Sequence, residues 1–382
     1  MALPILYTLS LLLHGLVAWR LLPALDPAWA AGLAPVLLAS ALLLPMGLLA
    51  HRVARGALAD RLAWVGLLCM GLFSSLLVLT ALRDVMLAAV WVAATLGWSP
   101  AQALLPGLRA DSAVLVPLAA LLVTVLGFWN ARRTARVVRV DVPVAALPAA
   151  LEGFTVAQIT DIHVGPTIKQ HYLQAIVHKV NALEADMVAI TGDLVDGKVH
   201  ELADHVAPLA QLRSRHGSFF VTGNHEYYSG AHAWMAELRR LGVRVLMNEH
   251  VVLQQNQAAV VLAGVDDFHA DRFDPSHRSD PHAAIAGAPL DAGVRLLLAH
   301  QPRSAFEAAK AGFDVQLSGH THGGQFWPWN LFVPLQQPFT AGLRKLQDLW
   351  VYTSRGTGYW GPPKRFGAPS EITLLRLVAA QP

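Results

Sequence analysis

The sequence predicts an α-helical membrane bundle followed by an α/β domain, and three observations indicate this order. The mean hydropathy of the 382 residues is +0.42 and only 14% of them are charged, values that are unusual for a purely soluble protein. The long apolar runs are confined to the first third of the chain. From about residue 141 onward, short apolar runs alternate with amphipathic stretches, which is the pattern of buried strands and covering helices.

Residues 1–131 are interpreted as a membrane domain with about four transmembrane helices. Each such helix needs about 20 mostly apolar residues. Four stretches approach this length: Pro4–Leu22, Ala34–Ala50, Leu62–Leu82 and Ala113–Trp129. A fifth run, Met86–Trp98, is short and follows Arg83 and Asp84, so we interpret it as a re-entrant or interfacial piece and keep a spanning helix as the alternative. A signal peptide is disfavoured because the N-terminus lacks a basic region and further apolar helices follow.

Charge is divided unevenly along the chain. Residues 1–140 hold ten Arg, no Lys and four Asp, a formal +6, whereas residues 141–382 carry a formal −3. The basic excess lies where lipid headgroups would be, so the expected partner is the lipid bilayer and no nucleic acid is expected. The single cysteine, Cys69, lies in an apolar run, which excludes disulfides and thiolate metal sites from the second half.

Arginine placement predicts the side of the membrane on which the second half lies. Cytoplasmic loops carry an excess of Arg and Lys. With four spans, two clusters fall on the same side, namely Arg52, Arg55 and Arg61, and Arg132, Arg133, Arg136 and Arg139. We therefore expect both termini and the second half in the cytoplasm. A fifth span would separate the two clusters and weaken this orientation.

Residues 132–149 are interpreted as a basic linker that leads into an α/β domain at 150–382. The expected strands are short apolar runs that end in polar residues: Phe154–Thr160, Met187–Thr191, Ser218–Thr222, Ala259–Gly264, Val294–Ala299 and Val315–Ser318. The expected helices lie between strands: Gln170–Leu183, His200–Arg213, Ala231–Leu241 and Arg303–Ala311. Two late strands, Leu349–Thr353 and Glu371–Leu377, complete the sheet, and Phe326–Phe339 is expected to be irregular.

Candidate metal ligands follow these strands directly. They carry oxygen or imidazole donors: Asp161, His163, Asp193, Asn224, His300, His320 and His322. Because ligands of open α/β sheets collect at the carboxyl ends of strands, we expect the seven to converge on one crevice. Seven donors without sulfur are too many for one ion but suit two divalent ions, with Mn²⁺ favoured and Fe or Zn²⁺ as alternatives. Asp193 is central in this order and is the natural bridge between the ions.

Most of the 17 histidines are expected to have surface or packing roles. Nine of them follow no usable metal spacing: His171, His178, His200, His205, His216, His232, His250, His277 and His282. His14 is isolated among the apolar helices and is expected at a helix interface or near the headgroups.

The strand ends resemble those of the calcineurin-like binuclear metallophosphoesterases over about residues 150–378. The shared blocks occur in the same order: Asp161-x-His163, Gly192-Asp193, Gly223-Asn224-His225-Glu226, His300 and Gly319-His320-x-His322. The continuation into Gly323-Gly324-Gln325 is similar to a bacterial, membrane-associated branch. This resemblance implies a four-layer αββα sandwich and a protein of the bacterial inner (plasma) membrane. It also implies one ion on Asp161, His163 and His322, another on Asn224, His300 and His320, and a bridging Asp193.

The expected function is that of a membrane-anchored, metal-dependent phosphoric ester hydrolase. It would cleave a phosphodiester, pyrophosphate or phosphomonoester bond by metal-activated hydroxide. His225, beside the ligand Asn224, is the catalytic candidate as proton donor to the leaving group. Asp196 either orients a ligand or forms the turn before Gly197. Three arginines are candidates for phosphate contact or for surface ion pairs: Arg303, Arg355 and Arg365.

Membrane anchoring favours a substrate at or in the bilayer, such as a phospholipid or a nucleotide-linked lipid. The apolar stretch Phe326–Leu335 follows His322 closely and is expected either to enter the membrane interface or to pack as a lid. The alternatives to an enzyme are a membrane sensor or binding protein that retains the fold, and a transporter with an appended regulatory domain. The complete ligand set disfavours the sensor, and the lack of paired intramembrane charges disfavours the transporter.

Overall fold

The computed structural model describes residues 2–380, which form two compact units. One unit holds the chain up to Trp129 together with Gly361–Lys364, and the other holds Asn130–Trp360 and the chain from Arg365 onward. The helices that begin in the first unit are α1 (Ala2–Leu21), α2 (Pro27–Leu48), the single turn α3 (Ala50–Val53), α4 (Gly56–Thr95) and α5 (Ser99–Arg132). Four of these, α1, α2, α4 and α5, are long and apolar enough to cross a membrane, which indicates a membrane protein.

The expectation of a separate piece at Met86–Trp98 is wrong, because residues 86–95 continue α4. This helix has 40 residues and is about 60 Å long, twice the thickness of a hydrocarbon core of about 30 Å. The charged residues that suggested a break have polar partners on neighbouring helices. The Arg83 guanidinium donates to Ser112 Oγ at 2.9 Å, and Arg20 forms an ion pair of 2.8 Å with Asp84. The helices therefore do hold paired charges, and a lack of such pairs no longer disfavours a transporter.

Small and polar residues pack the helices against one another. A Cβ built on Gly47 of α2 would lie 2.5 Å from the Cα of Gly66 in α4, so the two backbones approach too closely for any side chain. His14 of α1 is buried at the helix interface, where its Nε2 shares a hydrogen bond of 2.9 Å with Ser40 Oγ and its ring stacks on Phe73. His14 thus has the packing role expected at a helix interface.

The second unit contains two six-stranded sheets. Its strands are β1 (Arg136–Val144), β2 (Thr155–Ile159), β3 (Met187–Ile190), β4 (Ser218–Phe220), β5 (Arg244–Val245), β6 (Glu249–Gln255), β7 (Ala258–Gly264), β8 (Val294–Leu298), β9 (Val315–Ser318), β10 (Gly342–Leu346), β11 (Leu349–Thr353) and β12 (Glu371–Ala379). The first sheet has the order β1-β12-β2-β3-β4-β5, with β2 to β5 parallel. The second has the order β10-β11-β9-β8-β7-β6, with β11, β9, β8 and β7 parallel.

Six helices connect these strands: α6 (Gln170–Asn181), α7 (Val199–Val206), α8 (Asn224–Ser229), α9 (Ala231–Arg240), α10 (Pro281–Ile285) and α11 (Ala305–Lys310). Strand residues alternate between two apolar layers, as the two-residue period of a strand requires. Val156 packs between the two sheets, whereas its neighbour Ala157 packs with α6, α7 and α9. Leu296 likewise faces the other sheet, and Leu297 packs with α10 and α11. This arrangement confirms the predicted four-layer αββα sandwich.

Several elements were not predicted from the sequence. Residues 132–149, interpreted as a basic linker, contain β1, which pairs in parallel with β12 over nine positions. The edge strands β6 and β10 are only partly buried, so they lack the continuous apolar run of an inner strand. The stretch Phe326–Phe339 is irregular as predicted, with short 3₁₀ turns at Trp329–Leu331 and Val333–Leu335.

Candidate metal centre

The seven candidate ligands lie at the carboxyl ends of parallel strands from both sheets. They are placed as follows: Asp161 and His163 after β2, Asp193 after β3, Asn224 after β4, His300 after β8, and His320 and His322 after β9. Gln158 of β2 links the two sheets beneath them, because its side-chain amide donates to Thr191 Oγ1 at 2.8 Å and to the Ser318 carbonyl at 3.0 Å. The structure thus brings the ends of both sheets to one crevice.

Three ligands form a first group, Asp161, His163 and His322. The Nε2 atoms of His163 and His322 are 3.0 Å apart, and His322 Nε2 is 3.3 Å from Asp161 Oδ1. All three side chains are buried. This is the set that the family resemblance implies for one ion.

A second group forms around Asp193. Its Oδ2 atom lies 3.1 Å from His300 Nε2, and that nitrogen lies 3.2 Å from Nδ1 of His320. The other oxygen, Oδ1, accepts the main-chain N–H of His225 at 2.8 Å. The side-chain oxygen of Asn224 is buried and has no hydrogen-bond partner among the described residues. A buried acceptor of this kind is costly unless something else binds it.

The donor set fits divalent metal ions. Two donors that bind one ion at about 2.0–2.2 Å in a tetrahedral arrangement are roughly 3.3–3.5 Å apart, which is close to the separations in both groups. The orphaned oxygen of Asn224 is a further ligand that a cation would satisfy. The donors are carboxylate, amide and imidazole without sulfur, which suits Mn²⁺, Fe or Zn²⁺. No choice among these ions follows from the side chains alone.

The backbone at the ligands is strained. Five ligand residues adopt left-handed conformations: Asp161 (φ 52°), His163 (φ 56°), Asp193 (φ 50°), His320 (φ 70°) and His322 (φ 51°). Such conformations cost about 1–3 kcal/mol each and persist only where surrounding contacts hold them. The neighbouring glycines leave room for the carboxylates, since a Cβ on Gly223 or Gly319 would lie 2.2 or 2.1 Å from an oxygen of Asp193 or Asp161.

Hydrogen bonds hold the side chains of Asp161 and His300 in place. Asp161 accepts from Thr160 Oγ1 at 2.8 Å and from the main-chain N–H of His320 at 2.9 Å. His300 donates from Nδ1 to the Thr191 carbonyl at 2.8 Å, so its Nε2 is presented to Asp193.

The buried Glu226 joins two ligand loops. Its carboxylate accepts the main-chain N–H groups of Gly223, Asp193 and Leu194 at 2.7, 2.9 and 2.8 Å. These bonds tie the loop after β3 to the start of α8, where Asn224 and His225 lie.

His225 and Asp196 form a pair beside the ligands. Asp196 Oδ1 is 2.6 Å from His225 Nδ1 and 3.0 Å from His163 Nδ1, so one carboxylate orients both rings. Burial lowers the pKa of His225, but Asp193 and Asp196 outweigh it and raise the pKa to about 9. Burial likewise opposes ionisation of Asp196, yet His163 and His225 hold its pKa below the usual range. His225 Nε2 lies 4.0 Å from Asp193 Oδ2, so this nitrogen faces the ligands.

The three candidate arginines have different environments. Arg365 is fully buried and donates to the carbonyls of His322 at 2.9 Å and Arg355 at 2.8 Å. It therefore has neither of the two expected roles, and instead positions the loop that carries His322. Arg355 pairs with Glu371 at 3.1 Å, and Arg303 donates to Gln337 and to the Gln336 carbonyl.

Two aromatic residues beside His225 were not predicted. Ring centroids of Tyr228 and Trp360 lie 5.2 and 5.7 Å from that of His225, and both side chains are exposed at the mouth of the crevice. Nothing in the sequence pattern indicates this proximity, because Trp360 comes from a loop far along the chain.

Comparison with known proteins supports one family assignment. The calcineurin-like phosphoesterase family matches residues 154–324. The chain is similar to a transmembrane protein with metallophosphoesterase domain from Bos taurus, with 42% identity over 281 residues, and to its counterpart from Danio rerio, with 38% over 275. Each match covers 70% of this chain and 63% of the relative, so the chain spans just under two thirds of these relatives. An uncharacterized metallophosphoesterase of Aquifex aeolicus is 31% identical over 244 residues, which covers 63% of this chain and 91% of that protein.

Proposed function

The chain belongs to the calcineurin-like phosphoesterase family, and on this premise we propose that it hydrolyses phosphate esters at a centre of two divalent metal ions. The observation that carries the proposal is that residues from two sheets form two groups of metal-ligating atoms, one with Asp161, His163 and His322 and the other with Asp193, His300 and His320. When bound, the ions would lower the pKa of water and neutralise the charge that grows on the phosphate oxygens. Mn²⁺ is proposed first, with Fe or Zn²⁺ as alternatives.

Each residue has a proposed role. Two sets of three hold the ions, namely Asp161, His163 and His322, and Asn224, His300 and His320, and Asp193 bridges them. His225 donates a proton from Nε2 to the leaving oxygen as the bond between phosphorus and that oxygen breaks. Its Nδ1 is held by Asp196, and burial, Asp193 and Asp196 together leave its pKa at about 9, so the imidazolium is available at neutral pH.

Hydrolysis of bis-p-nitrophenyl phosphate by the full chain in detergent tests this function. We expect turnover that depends on added Mn²⁺ and that is absent from an Asp193→Asn variant. The alternative, a sensor that retains the fold, predicts that the protein binds metal but shows no turnover with Mn²⁺, Fe²⁺ or Zn²⁺. That outcome would overturn the enzymatic proposal.

We further propose that the substrate is a phosphodiester, pyrophosphate or phosphomonoester of a lipid, such as a phospholipid or a nucleotide-linked lipid. The support is the stretch Phe326–Leu335, which follows His322 closely and leaves Leu331, Phe332 and Leu335 exposed. So many exposed apolar side chains favour contact with acyl chains or the membrane interface. If this stretch instead packs as a lid, substitutions in it should reduce turnover of soluble and lipid substrates alike.

A matched pair of substitutions separates these roles. Leu335 and Leu290 are both highly exposed, at 81% and 92%, but only Leu335 lies in the apolar stretch. Leu335→Asn should lower turnover of a phospholipid presented in vesicles and spare bis-p-nitrophenyl phosphate, and Leu290→Asn should affect neither. Equal loss on both substrates would support the lid instead.

We propose that residues 1–131 anchor the protein in the bacterial inner membrane and that residues 150–382 carry out catalysis in the cytoplasm. The arginine clusters around the start of α4 and the end of α5 support this orientation. A periplasm-active reporter fused to the C-terminus should be inactive, and an active reporter would reverse the assignment.

A further inference from the structure

A group of three potential ligands lies outside the metal centre, and we call it the surface cluster: His232, Asp274 and His277. His232 is the second residue of α9, and the other two lie in the loop between β7 and α10. His232 Nε2 is 2.8 Å from Asp274 Oδ2, and the rings of His232 and His277 have centroids 5.0 Å apart. One ligand atom from each of the three residues lies within 4.8 Å of the others.

We propose that the surface cluster is a further divalent-cation site, with a donor set suited to Zn²⁺. Two imidazole nitrogens and one carboxylate oxygen are a common three-residue set for zinc, which completes its coordination with water. The site shares no residue with the metal centre and does not depend on the proposed hydrolysis. It would take up metal whether or not the protein is an enzyme.

Two ligands of the surface cluster, His277 and Asp274, are oriented by neighbouring residues. Nδ1 of His277 lies 2.9 Å from the Tyr227 hydroxyl, and when this nitrogen carries the proton it donates to Tyr227 and leaves Nε2 for an ion. Asp274 Oδ1 accepts from the main-chain N–H of Ser276 at 2.9 Å and from its hydroxyl at 2.6 Å. The second oxygen of Asp274 is thereby directed at His232.

The protonation states also suit a cation. Hydrogen bonds from Ser276 lower the pKa of Asp274, so the carboxylate is ionised. Burial lowers the pKa of His277, so its imidazole is neutral at neutral pH. Metal ligands must be in these forms. One ligand atom of His277 also lies within 4.8 Å of those of His232 and Asp274, so the group offers three donors rather than an ion pair alone.

An ion in the surface cluster would connect the loop after β7 to the start of α9, and its ligand His277 also contacts the helix that begins at Asn224. Tyr227 belongs to α8, and Phe273, next to Asp274, contacts the ring of Tyr228 with centroids 5.4 Å apart. The ring of Tyr228 in turn lies 5.2 Å from His225. Bound metal would therefore fix the aromatic side of the crevice beside the proposed proton donor.

Zinc titration of the full chain in detergent tests the proposal. The metal centre is first filled with Mn²⁺ under a constant Mn²⁺ excess, and bound Zn²⁺ and Mn²⁺ are then counted per chain by elemental analysis. We expect one added Zn²⁺ without loss of Mn²⁺, and we expect His277→Ala and His232→Ala each to weaken this binding at least tenfold. His232 is an informative position because its side chain is 70% exposed, so its removal should leave the fold intact.

His282→Ala is the matched control, because His282 is also an exposed histidine that contacts a carboxylate, at 3.7 Å from Glu307, but has no third ligand beside it among residues 2–380. It should bind Zn²⁺ as the unmodified chain does. Asp193→Asn should also retain the added Zn²⁺, which distinguishes the surface cluster from the metal centre. The proposal is overturned if Zn²⁺ only replaces Mn²⁺, or if the His232 and His282 variants bind it equally.

Discussion

The metal centre and the surface cluster both gather histidine and aspartate donors, yet the chain holds them in different ways. The proposed ligands of the metal centre are mostly buried and follow inner strands, and five of the seven have left-handed backbones that surrounding contacts hold in place. The surface cluster joins a helix start to a loop, and the side chain of His232 is largely exposed, whereas that of His300 is fully buried. Pre-organised, buried donors suit chemistry on a substrate. Exposed donors suit reversible binding of an ion that adjusts this chemistry.

The largest effect on turnover and metal content is expected from substitution of Asp193. Asp193→Asn removes the charge of the residue proposed to bridge the two sets, and His300 then loses its carboxylate neighbour at 3.1 Å. We expect turnover to fall to the buffer rate and at least one of two ions to be lost, as measured by steady-state hydrolysis and elemental analysis. An Asp274→Asn variant should keep both ions of the metal centre. If the two variants lost the same ions, the clusters would not be independent.

Substitution of the proposed proton donor should leave metal in place. His225→Gln should lower turnover by about 10²–10⁴-fold, the usual contribution of general acid catalysis, with unchanged metal content. The loss should be larger for an alkyl than for a nitrophenyl leaving group, because a poor leaving group depends more on protonation. Equal losses with both substrates would show that His225 is not the proton donor, and loss of metal would show that it is a metal ligand.

The pH dependence gives a second measure of His225. Burial lowers its pKa and the carboxylates of Asp193 and Asp196 raise it, to about 9 overall, and bound cations would bring it below that value. The acid is active when protonated, so turnover should decline as the pH rises through this pKa. The decline in turnover at alkaline pH should disappear in His225→Gln. If the decline persists in this variant, another group causes it.

Substitution of a residue that orients a metal ligand should reduce activity less than substitution of the ligand itself. Asp196 contacts His163 and His225 but belongs to neither set of proposed ligands, and Asp196→Asn keeps its shape while removing its charge. Loss of such a partner typically lowers metal affinity by about 10–100-fold. We expect a shift of this size in the Mn²⁺ concentration that half-activates the enzyme, with near-normal turnover at saturating Mn²⁺. If the Mn²⁺ activation curve is unchanged, Asp196 does not orient a ligand and only forms the turn before Gly197.

The two clusters also differ in how far the sequence predicts them. Each ligand of the metal centre directly follows a buried, apolar strand, so chain order and the geometry of parallel strands together predict one crevice. His232 and His277 were grouped with histidines of no usable spacing, because a helix start and a distant loop meet only through tertiary packing. The positioning role of Arg365 and the proximity of Trp360 to His225 were not predicted for the same reason. Strand β1 was missed because its basic, half-exposed residues do not form a continuous apolar run.

The smallest effect is expected from the surface cluster itself. Two aromatic contacts link the surface cluster to the proposed proton donor His225, namely Phe273 with Tyr228 and Tyr228 with His225. Such contacts contribute about 0.5–1.5 kcal/mol each, and about 1.4 kcal/mol corresponds to a factor of ten in rate. Zn²⁺ added at constant Mn²⁺ should therefore change turnover by about two- to tenfold in the unmodified chain and in His282→Ala, and have no effect in His277→Ala. A change of a hundredfold or more would exceed what these contacts can transmit and would indicate that Zn²⁺ had entered the metal centre.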